Sequence, residues 1–102
     1  MIRGEVWWGD VPGIGRRPLL VLTRDTAIPL LHDVVVATTT RTIRGIPSEV
    51  VLDERDGMPH RSVVNFDTLY TISKRLLVSR ITTLSSARLD EACEALRYAF
   101  AC

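Results

Sequence analysis

Long apolar runs are missing from this chain. No window approaches the ~20 consecutive apolar residues that a helical membrane crossing needs, and the first residues do not combine a basic start with a continuous apolar stretch. Neither a membrane span nor an export signal is expected. Cysteine is scarce: Cys93 and Cys102 are the only two, and in a helical C-terminus more than two turns would separate their side chains, too far for a bridge. A reduced, cytoplasmic protein is the expectation. An excess of charge of one sign is absent as well. Thirteen Lys and Arg stand against 12 Asp and Glu, a formal net charge of +1, so no global field draws a polyanion to the surface. His32 and His60 are the only histidines. They lie far apart, without cysteines or acids at ligand spacing, and read as surface residues; no metal site and no cofactor is expected. Internal repeats and low-complexity tracts are lacking.

What remains is 102 residues, enough for one compact domain over 1–102 but not for two. A chain this short buries a modest share of its surface, so a leftover apolar face favours a homodimer. Any affinity for nucleic acid has to come from local placement of charge. Between Thr38 and Pro47 lie Arg41 and Arg44 with no acidic residue, a candidate contact surface.

Strand signals dominate the order of segments. Arg3 to Asp10 is rich in strand-favouring aromatics and closed by turn residues. Trp7 and Trp8 point to opposite faces there, one into the core and the other toward base stacking or a dimer contact. Val11 to Gly15, with a proline and two glycines, is a loop. Pro18 to Thr23 is a short apolar strand buried on both faces, with the proline at its first position and Arg17 where loop becomes strand. Arg24 to Leu31 is a helical turn or loop, because Pro29 opposes a long helix. His32 to Thr40, with its β-branched run, is a strand. Gly45 to Leu52 is another, Asp53 to Pro59 a polar loop, and Ser62 to Phe66, Leu69 to Ile72 and Leu76 to Thr83 three more strands. Leu89, Ala92, Cys93, Leu96 and Phe100 then recur at helical spacing after a capping Ser85 or Ser86, an amphipathic helix. Strands followed by one helix indicate a mainly β, α+β fold: a partly closed antiparallel barrel with a packed C-terminal helix.

Six segments in this order resemble the MazF/PemK family of toxin ribonucleases: Arg3-Gly4-Glu5-Val6-Trp7-Trp8-Gly9-Asp10, Arg17-Pro18-Leu19-Leu20-Val21-Leu22-Thr23, Val36-Ala37-Thr38-Thr39-Thr40, Ile46-Pro47-Ser48-Glu49-Val50-Val51-Leu52, Ser62-Val63-Val64-Asn65-Phe66-Asp67 and Thr71-Ile72-Ser73-Lys74-Arg75-Leu76. The resemblance implies the SH3-like fold of plasmid-maintenance toxins, a homodimer, and metal-independent, sequence-specific cleavage of single-stranded RNA. It also implies a cognate MazE-like antitoxin that occupies the RNA groove. By the same resemblance the catalytic pair falls on Arg17 and Thr40; the candidate RNA contacts around it are Arg16, Thr38, Thr39, Arg41, Arg44, Asn65 and Asp67. One segment departs from the pattern. Gly13-Ile14-Gly15-Arg16 is short and lacks the glutamate of a longer Gly-Ser-Glu stretch in the family.

Arginine before a proline and threonine at a strand end suit this chemistry. RNA carries its own nucleophile, the 2′-hydroxyl, so the protein must position it and stabilise charge growing on the phosphoryl oxygens. Arginine's planar fork does the second, and a threonine hydroxyl can donate to the same phosphate or orient the 2′-hydroxyl. A guanidinium holds its proton too tightly to act as base, and the pattern names no other. Asn65 and Asp67 have base-reading and structural uses equally open to them. Two alternatives stand beside this reading. A gyrase-poisoning toxin of the CcdB kind shares the fold, yet its tryptophan-bearing C-terminal tail has no counterpart in Tyr98-Ala99-Phe100-Ala101-Cys102. An inactive RNA-binding barrel fits too, but leaves Arg17 and Thr40 unexplained.

Overall fold

In the computed structural model, which describes residues 1–102, six strands form one curled antiparallel sheet. They are β1 (Glu5–Val11), β2 (Gly15–Val21), β3 (Asp33–Thr40), β4 (Glu49–Leu52), β5 (Ser62–Ser73) and β6 (Leu77–Thr83), followed by helix α1 (Ser86–Phe100). Their order across the sheet is β4-β5-β3-β2-β1-β6.

β1 and β2 meet in a tight hairpin. Pro12-Gly13 takes the two central turn positions, Gly13 at φ 84 and Gly15 at φ 88, and the Ile14 amide donates to the Val11 carbonyl at 3.0 Å. Only glycine adopts such angles without strain, which is why this turn needs both. The expected loop from Val11 to Gly15 thus shrinks to three residues, and β2 begins before the proline. Arg17 and Pro18 lie inside the strand, opposite Gly9 and Trp8. An interior proline is tolerated because pairing of β2 with β3 starts only at Leu19. The Pro18 carbonyl accepts from Thr39 Oγ1 at 2.8 Å, so its nitrogen also faces β3, where no ladder bond is lost.

Leu19, Leu20 and Val21 are fully buried and alternate between two apolar clusters, one on each face of the sheet. That is the strand buried on both sides that the apolar run predicts. Val6, Leu20, Ala37, Val64 and Phe66 pack on one face against Ala92 and Ala95 of α1. Leu19, Val21, Val34, Val36 and Ile72 fill the other, with Trp7 packed beside them. The helical stripe is shifted from its expected composition. Ala95 and Ala99 belong to it, whereas Phe100 is 55% exposed at the helix end.

Ser62 to Ile72 is one strand, not two. Ala37 pairs with Leu69 but Thr38 with Asn65, leaving Phe66, Asp67 and Thr68 as a bulge on β5. A bulge of this size bends the strand and strengthens twist, which curls the sheet toward a barrel. β4 is shorter than expected, because Gly45 to Ser48 is irregular. The segment Arg24 to Leu31 makes helical-type turns, with the Ile28 and Leu31 amides bonded to the Arg24 and Ala27 carbonyls.

Charge pairs pin the helix. Arg88 reaches back bidentately to Asp56, Nε to Oδ1 at 2.9 Å and Nη2 to Oδ2 at 3.2 Å, and its Nη1 donates to Glu91 at 2.7 Å. Burial pushes the Asp56 carboxyl upward, but the Arg88 guanidinium and the Asp53 amide more than offset it, so the group titrates below its ordinary value. Its bond to Asp56, then that to Glu91, holds Arg88 protonated more tightly than usual. Glu5 follows the logic of Asp56. Burial raises it, and the Ile2 amide, the Trp7 indole, the N-terminal ammonium and Arg80 bring it below the usual range.

Candidate active site

Across β1, β2, β3 and the start of β5 an open cleft of about 360 Å³ is lined by Trp8, Arg16, Arg17, Pro18, Thr39, Thr40, Arg41, His60 and Ser62. Three arginines and a histidine stand in that lining and no carboxylate does. A near-neutral chain has concentrated positive charge in one place.

Arg17 is half-buried and held by backbone alone: Nη1 donates to the Thr39 carbonyl at 3.4 Å and Nη2 to the Ile14 carbonyl at 3.1 Å. It makes no ion pair with any carboxylate. The fork is therefore oriented while its charge is left for a ligand, and its remaining N–H groups are unspent. Thr39 is the positioning residue. Its carbonyl takes Arg17 and its hydroxyl donates to Pro18, which ties the two strands together. The Thr40 hydroxyl accepts from the Thr42 amide at 3.1 Å, so its own proton remains available to donate.

Arg16 lies over the Trp8 ring, 5.4 Å from the guanidinium carbon to the ring centroid, a cation–π contact that braces both side chains at the cleft. Trp8 is thus the aromatic that reaches the site, and Trp7 the one at the core, its indole donating to Glu5 at 3.1 Å.

Other expected contacts are not brought together. Thr38 is 6% exposed, paired between Leu19 and Asn65, and has no surface to offer RNA. Arg44 is not free: Glu49, just beyond the acid-free stretch, pairs with its guanidinium at 3.8 Å and takes the Arg44 and Gly45 amides at 3.0 and 3.2 Å. The basic track from Thr38 to Pro47 is thereby reduced to Arg41. Asn65, just before the β5 bulge, and Asp67, within it, are not among the residues that line the cleft. Asn65 accepts the Asp67 amide at 2.9 Å, and Asp67 accepts the Ser48 hydroxyl.

Comparison with known proteins decides the affiliation. A sequence model of the PemK-like, MazF-like toxin of type II toxin-antitoxin system matches residues 2–100. The chain belongs to the PemK-like, MazF-like toxin family. Within it, the probable endoribonuclease MazF5 of Mycobacterium tuberculosis is 48% identical over 101 residues, 98% of this chain and 93% of that protein. The probable endoribonuclease MazF2 of the same organism is 47% identical over 103 residues, covering 100% of both. Among solved structures, an endoribonuclease in complex with its cognate antitoxin from a mycobacterial species superposes with a TM-score of 0.89 at 28% identity, over 99% of this chain and 95% of that one. The Mycobacterium tuberculosis toxin MazF-mt6 gives 0.88 at 33% identity, over 95% and 96%.

Two lining residues of this PemK-like, MazF-like chain carry no local motif. His60, expected at an unremarkable surface, enters the cleft and meets Arg41, Nδ1 to Nη2 at 3.3 Å. Ser62 opens β5 beside it. Strand alternation on β5 could have suggested an inward Ser62, but a loop histidine has no periodicity to betray it. No group of three or more His, Cys, Asp or Glu side chains converges as a metal site would require, and no helix is long and apolar enough to cross a membrane.

Proposed function

We propose that this chain is a sequence-specific endoribonuclease toxin that cuts single-stranded RNA without a metal ion, using the substrate's 2′-hydroxyl as nucleophile. One observation carries the reading. Arg17, oriented by two carbonyls and unpaired by any carboxylate, lines the same cleft as Thr40, whose hydroxyl proton is unspent. The cleft size suits one nucleotide and its phosphates. Arg17 clamps the phosphoryl oxygens as they gain charge, Thr40 donates to the same group, and Arg16 and Arg41 attract the strand. Trp8 offers a face on which an unpaired base stacks. Attack of the 2′-oxygen on phosphorus breaks the bond to the 5′-oxygen, leaving a 2′,3′-cyclic phosphate and a 5′-hydroxyl.

The partners follow from the family. A cognate antitoxin blocks RNA by occupying the groove, its acidic groups meeting the arginines. A second copy covers apolar surface such as the depression lined by Leu22, Leu31, Val35, Leu69 and Leu96, beside the 81% exposed Leu30, and the dimer works in the cytoplasm.

Incubation of the purified protein with a mixed single-stranded RNA pool in a chelator tests the reading. Discrete cuts ending in cyclic phosphate are expected, and a single 2′-deoxy nucleotide at the cut point should block them. Loss of activity with the chelator rejects the metal-free route. Normal cleavage of the deoxy substrate rejects 2′-hydroxyl attack.

A further inference from the structure

Arg17 and Thr40 leave the proton of the attacking 2′-hydroxyl without a destination. A guanidinium stays protonated at any working pH, and a threonine hydroxyl is a weak base. The opposite wall of the cleft, at the start of β5, supplies what is missing. His60 is the only imidazole in the lining, and imidazole is the side chain most often used as a general base. Its Nδ1 lies 3.3 Å from Arg41 Nη2. A guanidinium nitrogen only donates, so Nδ1 is the acceptor and the imidazole in this pair is the neutral form. Around it stand Arg16 and Arg17 on β2 and Arg41 after β3, with no acid in the lining. A neutral imidazole is a base.

A second, independent observation points to a ligand at this wall. Ser62 is 2% exposed, lines the cleft, and its Oγ has no hydrogen-bond partner. A buried hydroxyl left unpaired inside a polar cleft is satisfied when an acceptor arrives, and a phosphate oxygen is such an acceptor.

We propose that His60 is the general base of RNA cleavage and that Ser62 donates to the scissile phosphate across the cleft from Arg17, an assignment that rests on the nuclease reading above. Exposed Arg41 turns to the incoming phosphate and releases Nδ1. Nδ1 takes the 2′-hydroxyl proton as the 2′-oxygen bonds to phosphorus, the bond to the 5′-oxygen breaks, and that oxygen takes a proton from water. The imidazolium then loses its proton to solvent.

Single-turnover cleavage of an oligoribonucleotide carrying the mapped site, followed across the imidazole titration range, tests this with wild type, His60→Ala, His60→Gln, Ser62→Ala and Arg17→Ala. Wild-type rate should climb with pH and then level off. His60→Ala should cut about 100-fold slower or worse, lose that climb, and be partly rescued by free imidazole. His60→Gln, closer in size, guards against misfolding and should show the same loss. Ser62→Ala should raise the protein concentration that gives half-maximal single-turnover rate several-fold and keep the wild-type pH profile; unchanged binding removes Ser62 from the phosphate. A substrate with sulfur in place of the leaving 5′-oxygen needs no acid, so the His60→Ala defect should persist on it. Disappearance of the defect there places His60 at the leaving group and overturns its role as base. A His60→Ala protein with wild-type rate and profile overturns the proposal while inert Arg17→Ala leaves the nuclease reading standing. Absence of cleavage by wild type, or full cleavage by Arg17→Ala, fails both.

Discussion

Two arginines in this molecule have opposite surroundings. Arg88, at the base of α1, meets Asp56 and Glu91 through short bonds, and its charge is spent on joining helix to loop. Arg17 is held instead by the carbonyls of Thr39 and Ile14, which orient a guanidinium without cancelling it. A fold that needed Arg17 only for stability would have given it a carboxylate, since a desolvated charge without a counterion is costly. Arg88 is spent on carboxylates, whereas Arg17 combines half-burial, orientation by carbonyls and the lack of a counterion, the surroundings of a guanidinium reserved for a ligand.

The contrast breaks most sharply on Arg17→Ala. Cleavage should fall by about 1000-fold, roughly 4 kcal/mol of lost transition-state stabilisation, while the melting temperature stays within a few degrees of wild type. A large drop in melting temperature would make Arg17 structural and erase the distinction. Thr40→Val, which keeps the shape and deletes the hydroxyl, should slow cleavage about 100-fold with the fold intact; an unchanged rate would leave Arg17 without its partner. Arg88→Ala should do the reverse of Arg17→Ala. Losing charged hydrogen bonds and leaving Asp56 unpaired costs about 2 kcal/mol, a fall of roughly 10 °C in melting for a domain of this size, with cleavage per folded molecule unchanged.

The smallest effect concerns acid. Asp56 and Glu5 titrate below their ordinary values of 3.8 and 4.5 in the folded chain. The stability they add is fully present above those values and is lost as pH falls through the depressed ones. Chemical unfolding at stepped pH should show stability declining as acidity passes those values, and Asp56→Asn should flatten part of the decline. An equal decline in that variant assigns it elsewhere.

Much of this was readable from residue order, and the failures share causes. Leu19 to Val21 announced a strand buried on both faces because nothing polar interrupts it. The helix announced itself by spacing, yet Phe100 falls outside its buried stripe and Ala95 within it, because the helix ends where Phe100 has no sheet beneath it. Pro18 was legible as a strand residue but not as an interior one, since only the late start of pairing with β3 makes that tolerable. Arg17, Thr40, Arg16 and Arg41 reach one cleft as segment order suggests. Arg44 does not, because Glu49 turns back on it from β4, a tertiary pairing that counting acids along one stretch misses. His60 was illegible for a related reason: its place in the cleft depends on how the chain enters β5 beside β3, which no local pattern encodes, whereas strand alternation hinted only that Ser62 faces inward.

The most direct test of the contrast is a nuclear magnetic resonance titration with a single-stranded oligonucleotide made uncleavable by a 2′-deoxy nucleotide at the mapped cut. The Nε–H signal of Arg17 and the amides of Arg16, Thr39, Thr40, Arg41 and Ser62 should shift together, while the Nε–H of Arg88 stays still. Shifts gathered around Arg88 and α1, with Arg17 silent, would contradict the account.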